Sequence, residues 1–482
     1  MRLQADRSTI NSYPTLLRRI LAERDNPMGN DRQSNPQLQR LNTASLPPAQ
    51  QPQAAWSPPA MRTIEETGLN LVSISDLALK VVYNGGVMTG GKIADVIKLP
   101  YVGVVDQAMN FLKKEKFIEV QSQSGLGEAA FSYIISSKGS EKAREAMERT
   151  QYAGPAPVTL EQYITAMKAQ TRGRVSATPE LMKKALGHLV ISEKMYGKVG
   201  PAVNSGKSIF MYGPPGNGKT TISEAVGRVF LGADMWIPYC FDVDGQIVRV
   251  YDNINHEILE AAESNEAPGQ RTMQTGVKRD PRWIRIRRPM IMVGGELVLE
   301  GLDLSYDPIN KYYEAPFQLK ATGGMFLIDD FGRQQVRPRD LLNRWIVPLE
   351  KGVDFLQLAT GRKIEVPFNV LIVFSTNLDP RDLVDEAFLR RIRHKIEVGD
   401  PSPEDYLEIF RRACDAKKVP YDERGYAYLI QEWYVKKDRR FRSVHPRDIL
   451  DQLLDISRYL NRPPQLTKEL IDRACEAYFV QL

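Results

Sequence analysis

Cysteine and histidine are scarce in this chain: three cysteines, Cys240, Cys414 and Cys475, and four histidines among 482 residues. The cysteines are far apart and odd in number, so they supply neither a disulfide framework nor a thiolate metal site, which suits a reducing compartment. No histidine pair has the spacing of a metal motif. Long apolar runs are missing too. Nothing approaches the ~18 apolar residues a membrane helix needs, and Leu16-Leu-Arg-Arg-Ile-Leu21 interrupts any signal core with charge. The expectation is a soluble, cytoplasmic protein with no membrane insertion. Charge of one sign is also lacking, since 65 basic against 59 acidic residues leave a formal +6. That imbalance is too mild to imply a nucleic-acid partner by itself. What is present, 42% hydrophobic and 26% charged residues, is globular composition, in a length that accommodates two or three domains.

Residues 1–68 are rich in Pro, Gln, Asn and Ser, as in Leu46-Pro-Pro-Ala-Gln-Gln-Pro-Gln53. Such a stretch buries too little apolar surface to offset its ordering entropy and reads as a disordered tail, with one short amphipathic island at Thr15 to Glu23. Residues 69–151 read as a compact unit. Helices are predicted over Ser75–Tyr83 (capped by Ser75), Gly91–Leu99 and Val102–Lys116, then strands over Phe117–Gln121 and Phe131–Ile135 around the turn Ser124-Gly-Leu-Gly127. Three helices followed by a hairpin resemble a winged helix. The helix at 102–116 opens Val102-Gly-Val-Val-Asp-Gln and carries no arginine, whereas a DNA reader concentrates basic and amide groups there. Protein docking or autoregulation is therefore the first reading and DNA contact the second. Residues 152–175, containing Tyr152-Ala-Gly-Pro-Ala-Pro157, read as a linker.

The strongest signal is Gly213-Pro214-Pro215-Gly216-Asn217-Gly218-Lys219-Thr220-Thr221. It follows an apolar run, Ser208 to Tyr212, and precedes a helical pattern. Strand, glycine-rich loop and helix together make a phosphate cradle, with backbone N–H groups turned inward at the positive end of a helix. Lys219 is placed to reach the β- and γ-phosphates, and the Thr220 hydroxyl to hold Mg²⁺. A second apolar strand, Met325 to Ile328, ends in Asp329 and Asp330; the first suits the Mg²⁺ shell and the second the attacking water. A third, Val370 to Phe374, ends in Ser375-Thr376-Asn377, whose amide can position that water without adding charge. Asp385-Glu-Ala-Phe-Leu-Arg390-Arg391-Ile-Arg393 offers arginines for transition-state charge, and His445-Pro-Arg447-Asp448 opens a helix in a helical C-terminal segment.

Taken together, these motifs resemble the AAA+ ATPases: Walker A, Walker B, sensor 1, arginine finger and sensor 2 in order over residues 205–460. Val353–Leu358 and Lys363–Val366 around Ala359-Thr-Gly-Arg362 resemble the β-hairpin that one branch carries before sensor 1. Pro367-Phe368, Glu386-Ala-Phe-Leu-Arg-Arg391-Ile392 and His445-Pro-Arg447 are similar to the MoxR group within it. Ala321-Thr-Gly-Gly324 is similar to the bacterial enhancer-binding activators as well, but their signature sigma-contacting loop is absent. The resemblance implies an α/β fold, an αβα parallel-sheet core over 176–400 with a helical lid over 401–482. It implies ATP and Mg²⁺ as cofactors, Arg391 acting on a neighbour's site in a ring (a hexamer), Arg447 as sensor 2, and a client protein that is remodelled or activated. A DNA-directed ATPase and a slow nucleotide switch are the alternatives. By the same resemblance the adenine pocket lies near Leu186 to Ile191, at Val190.

Two departures stand out. Walker B usually ends Asp-Glu and here ends Asp329-Asp330, one methylene shorter. The stretch between Lys219 and Asp329 is also longer than the core needs, and an insertion is placed at about 241–317. Within it, Lys278-Arg-Asp-Pro-Arg-Trp-Ile-Arg-Ile-Arg-Arg288 alternates arginine with apolar residues, as a half-buried strand does. The plainer reading is a strand whose arginines pair with acids of the next subunit; the sharper one is a grip on an acidic polypeptide or nucleic acid. Tyr306, Tyr312, Tyr313 and Phe317 are read as core, His188 and His256 as packing or surface residues, and Lys436 to Arg442 as a solvated turn.

Overall fold

The computed structural model describes residues 56–123, 127–171, 176–231, 234–259, 279–383 and 389–479. The island at 15–23, nearly all of the expected tail, the turn tip at 124–126 and the segment 384–388 lie outside the described residues.

Five strands build the central sheet: β1 (Ser208–Tyr212), β2 (Met290–Val293), β3 (Met325–Ile328), β4 (Leu371–Thr376) and β5 (His394–Glu397). All neighbours are parallel, in the spatial order β2-β3-β4-β1-β5. Strands covered on both faces must be apolar on both, and β3 and β4 are buried at every position. Successive side chains alternate between two cores. Ile209, Met211, Leu327 and Val373 pack with the helices flanking β1, whereas Phe210, Phe326, Ile328 and Phe374 surround Phe331 and Trp345. Helix α1 (Lys219–Leu231) leaves the loop after β1. Beyond β5 the chain is helical: α2 (Pro403–Lys417), α3 (Glu423–Leu429), α4 (His445–Tyr459) and α5 (Lys468–Tyr478), closed on their own core of Tyr406, Phe410, Tyr426, Leu450 and Ile471. This is the αβα class with a helical lid.

The N-terminal unit contains helices Leu71–Gly85, Gly90–Ile97 and Asp106–Lys114, with strand Phe131–Ile135 lying antiparallel between Met88–Thr89 and Ile118–Gln123. Its first helix starts earlier than expected. Asn70, not Ser75, is the cap, its Oδ1 accepting from the Ser73 N–H at 2.7 Å, and Ser75 is buried inside the helix. The helix expected over 102–116 is broken at Val102 and Gly103. Gly103 takes φ +85°, and a Cβ there would lie 2.3 Å from the Arg62 carbonyl oxygen. A close backbone approach therefore overrides the local helical pattern.

Two assigned boundaries are corrected. Residues 56–68 are not tail: Trp56 meets Trp283 edge-on at 5.1 Å, and Thr63 and Glu66 form a capping box. Residues 152–175, where described, are not a linker. Val158–Thr159 pairs with Cys240–Val243, and helix Leu160–Thr171 buries Tyr163, Ala166 and Met167, an i, i+3, i+4 face that the flanking prolines masked.

Strands of the 241–317 stretch join Val158–Thr159 in a mixed sheet ordered Ser305–Asp307, Tyr312–Glu314, Gln246–Arg249, Cys240–Val243, Val158–Thr159. The hairpin Val353–Gln357 and Lys363–Pro367 is present and buries Leu356, Ile364 and Val366 against the apolar residues of that sheet. Cys240, Ile247 and Tyr312 in turn share a cluster with the N-terminal unit. Trp283–Arg287 is a strand, pairing with Asp234–Pro238, and its arginines and those flanking it have partners within this chain. Arg282, 1% exposed, pairs with Asp280 at 2.8 Å and donates to the Thr67 and Pro157 carbonyls at 2.8 and 2.9 Å. Arg285 pairs with Asp234, Arg287 with Glu257, and Arg288 donates to the Gly323 carbonyl. Tyr313 is core as read, whereas Tyr306 is 43% exposed. His256 is a packing residue, its Nδ1 accepting from the Asp252 N–H at 2.9 Å.

Candidate nucleotide site

Parallel strands deliver their C-terminal ends to one edge of the sheet, and β1, β3 and β4 are neighbours there. The loop after β1 turns through Gly213, Gly216 and Gly218 at φ +139°, +80° and +81°, a backbone that residues with a Cβ rarely adopt. Lys219 opens α1, and its ammonium donates to the Gly213 and Pro214 carbonyls at 3.0 Å each and to Asn377 Oδ1 at 2.5 Å. Burial lowers its pKa, against the opposing pull of Asp329 and Asp330. The Thr220 hydroxyl donates to Asp329 Oδ2 at 2.8 Å. One hydroxyl and one carboxylate are hard oxygen donors. Among the described residues there is no cluster of three or more His, Cys, Asp or Glu for a metal. A small donor set that leaves positions to phosphate and water fits Mg²⁺.

Asp330 stands just past β3 with φ +48°, held by Phe331 N–H to the Ser375 carbonyl at 2.7 Å. The Asn377 amide donates to Asp330 Oδ1 at 3.2 Å, so Asn377 bridges Lys219 and Asp330. The three groups follow three different strands, β1, β3 and β4, and the structure places Asn377 in hydrogen-bond contact with the other two.

Beside the loop lies a cavity of about 260 Å³, lined on the core side by His188 to Ile191, Gly216 to Gly218, Thr221 and Ile222. Its lid side is Ile409, Arg412, Ser443, Val444 and Arg447. A second, of about 390 Å³, shares Val190, Ile191 and Asn217 with it. Val190 borders both, and His188 lines the first instead of merely packing. Arg447 reaches the cavity with its side chain 65% exposed and its Nε donating to Asp448 at 2.9 Å. Arg391 is placed differently. Its Nε donates to Glu350 Oε1 at 2.5 Å, at the end of helix Ile346–Lys351.

Sequence reasoning missed the groups that join lid to loop. Arg442 belongs to a run read as a solvated turn, yet it pairs with Asp400. Val444 N–H donates to the Gly216 carbonyl at 2.8 Å. The available signal was the position of Asp400, just past β5, whose end lies at the same edge as the loop.

A family model described as a domain of unknown function (DUF8689) matches residues 402–477, the helical lid. No curated protein matches the sequence. Among solved structures, the chain is similar to NtrX from Brucella abortus in complex with ADP, at TM-score 0.37 and 13% identity over 68% of this chain and 64% of that one. The ATP complex of NtrX gives 0.35 and 14% over 70% and 69%. A RuvB mutant from Thermotoga maritima gives 0.32 and 12% over 66% and 72%. The chain thus spans less than two thirds of the first of these relatives. Similarity at this level carries nothing about the site, which stands on the geometry of this chain.

Proposed function

We propose that this protein is a Mg-ATP-dependent, ring-forming AAA+ ATPase that remodels or activates a partner protein, as the MoxR group does. The observation that carries the reading is the convergence of Lys219, Thr220, Asp329, Asp330 and Asn377 through three hydrogen bonds between β1's loop, β3 and β4. The reaction is ATP + H₂O → ADP + phosphate. Inward-turned N–H groups of the loop bind the phosphates, and Lys219 exchanges its Asn377 and carbonyl contacts for phosphate oxygens. Thr220 and Asp329 would hold Mg²⁺, which when bound would supply neutralisation of the phosphate charge. Asp330 accepts the proton of the attacking water, and Asn377 fixes that water's direction. Arg391 of a neighbour stabilises the transition-state oxygens, and Arg447 follows nucleotide state from the lid.

A protein client is favoured over DNA by what the N-terminal unit exposes. Val102 is 79% and Val120 46% exposed, apolar groups where a DNA reader needs donors and cations. The test is steady-state ATP turnover at ring-forming concentration, with Lys219→Ala expected to abolish it. Turnover stimulated by DNA with a steep salt dependence would overturn the remodelling reading.

A further inference from the structure

The tip of the phosphate loop is tied to the lid through the Asn217 side chain, for which the mechanism above has no use, and through Asp400 and Arg442, which lie outside the motifs. Asn217 is a loop residue, yet its side chain is 5% exposed and turned toward the lid. Its Nδ2 donates to Asp400 Oδ1 at 2.7 Å, and its Oδ1 accepts from the Ser443 N–H at 3.1 Å. The same Asp400 oxygen accepts from Arg442 Nη1, and the neighbouring Gly216 carbonyl accepts from Val444 N–H. The fit is tight, since a Cβ on Gly216 would stand 2.7 Å from Val444 Cγ1. Asp400 lies in the connection between β5 and α2, so three parts meet at one carboxylate: loop, connection and lid.

From this geometry we infer that Asn217, Asp400 and Arg442 form a latch that seats the lid and thereby assembles the base-binding half of the nucleotide site. The inference rests on the proposed nucleotide reading and adds a division of labour to it. The 260 Å³ cavity has one wall from the core, at His188 to Ile191, and one from the lid, at Ile409, Arg412, Val444 and Arg447. At the far end of the cavity Arg412 donates to the Gly187 carbonyl at 3.0 Å, and the latch sets the distance between the walls at the loop end. The phosphate cradle, by contrast, is made by loop backbone, Lys219 and Thr220, which the lid does not supply. Asp400 and Arg442 are positioning residues: they act on the base through the lid wall.

Two probes separate the halves: MgATP, which has a base, and magnesium tripolyphosphate, which has none. Asp400→Ala and Arg442→Ala are each expected to weaken MgATP about tenfold, the scale of a lost charge-assisted hydrogen bond, while tripolyphosphate stays within about twofold. Arg442→Lys, which keeps the charge, should recover part of the loss. The double variant should be no weaker than either single one, because one interaction is being removed twice. Equal weakening of both probes, or of neither, would overturn the latch. A wild-type protein that bound neither probe would instead overturn the nucleotide reading, and the latch with it. Because the tripolyphosphate measurement itself requires a folded core, a variant that failed to fold would lose both probes, and Arg442→Lys then decides: a base-selective loss there supports the latch and an equal loss opposes it.

Discussion

Asp330 occupies a left-handed backbone position, φ +48°, which aspartate tolerates better than longer side chains because its carboxylate bonds locally. This gives a physical reason for the shorter acid at the end of β3. Asp330→Glu is expected to cost about 1 kcal/mol of stability without raising turnover, as checked by denaturation and single-turnover kinetics. Asp330→Asn should retain ATP binding and lower turnover by about 100-fold or more, the usual scale for losing a general base. A turnover within a few-fold of wild type would remove Asp330 from the water-activating role. Arg282 makes a different residue-level prediction. Truncating it strands the 5%-exposed Asp280 and two buried carbonyls, so Arg282→Ala should destabilise by about 3–5 kcal/mol in chemical denaturation. The loop, Asp329 and Asn377 were legible in the sequence because each sits at a fixed offset from an apolar strand. Asp400 and Arg442 were not, because their meaning depends on a contact 42 positions apart that no local pattern encodes.

Among the elements, α4 carries a pH-sensitive joint. Its first residue, His445, places Nδ1 3.0 Å from the Tyr434 hydroxyl, which lies 2.6 Å from that of Tyr406. Burial, reinforced by Arg442 and Arg439, pushes its pKa down to about 4, against a smaller opposing pull from Asp448 and Asp400. Between about 4 and the ordinary ~6.5 the unfolded chain binds more protons there than the folded one. The contribution is therefore fully present above pH ~6.5 and is lost as pH falls toward 4. Thermal unfolding followed from pH 7 to 4 should show a steeper loss for wild type than for His445→Asn; parallel curves would place the acid sensitivity elsewhere. Element types followed from apolar periodicity, as in β3, β4 and the hairpin at 353–367. Boundaries failed where tertiary contact intervened: at Gly103, pressed against Arg62, and at Leu160–Thr171, whose buried face docks on the insertion.

For the whole molecule, the proposed ring makes the site a property of two subunits. Lys219→Ala and Arg391→Ala should each be inactive alone. Mixed in equal amounts they should regain about a quarter of wild-type turnover, since random heterologous contacts pair an intact loop with an intact finger that often. No recovery on mixing would place Arg391 outside the neighbouring site. The sheet order adds a consequence for synthesis. β1 carries the phosphate loop, yet both of its partners, β4 and β5, are made later. A nascent chain that stops before residue 371 contains every glycine of the cradle and no strand to hold β1 beside it. Ribosome-bound chains captured on immobilised ATP should therefore appear abruptly once β4 and β5 have left the exit tunnel, well after the loop itself has emerged.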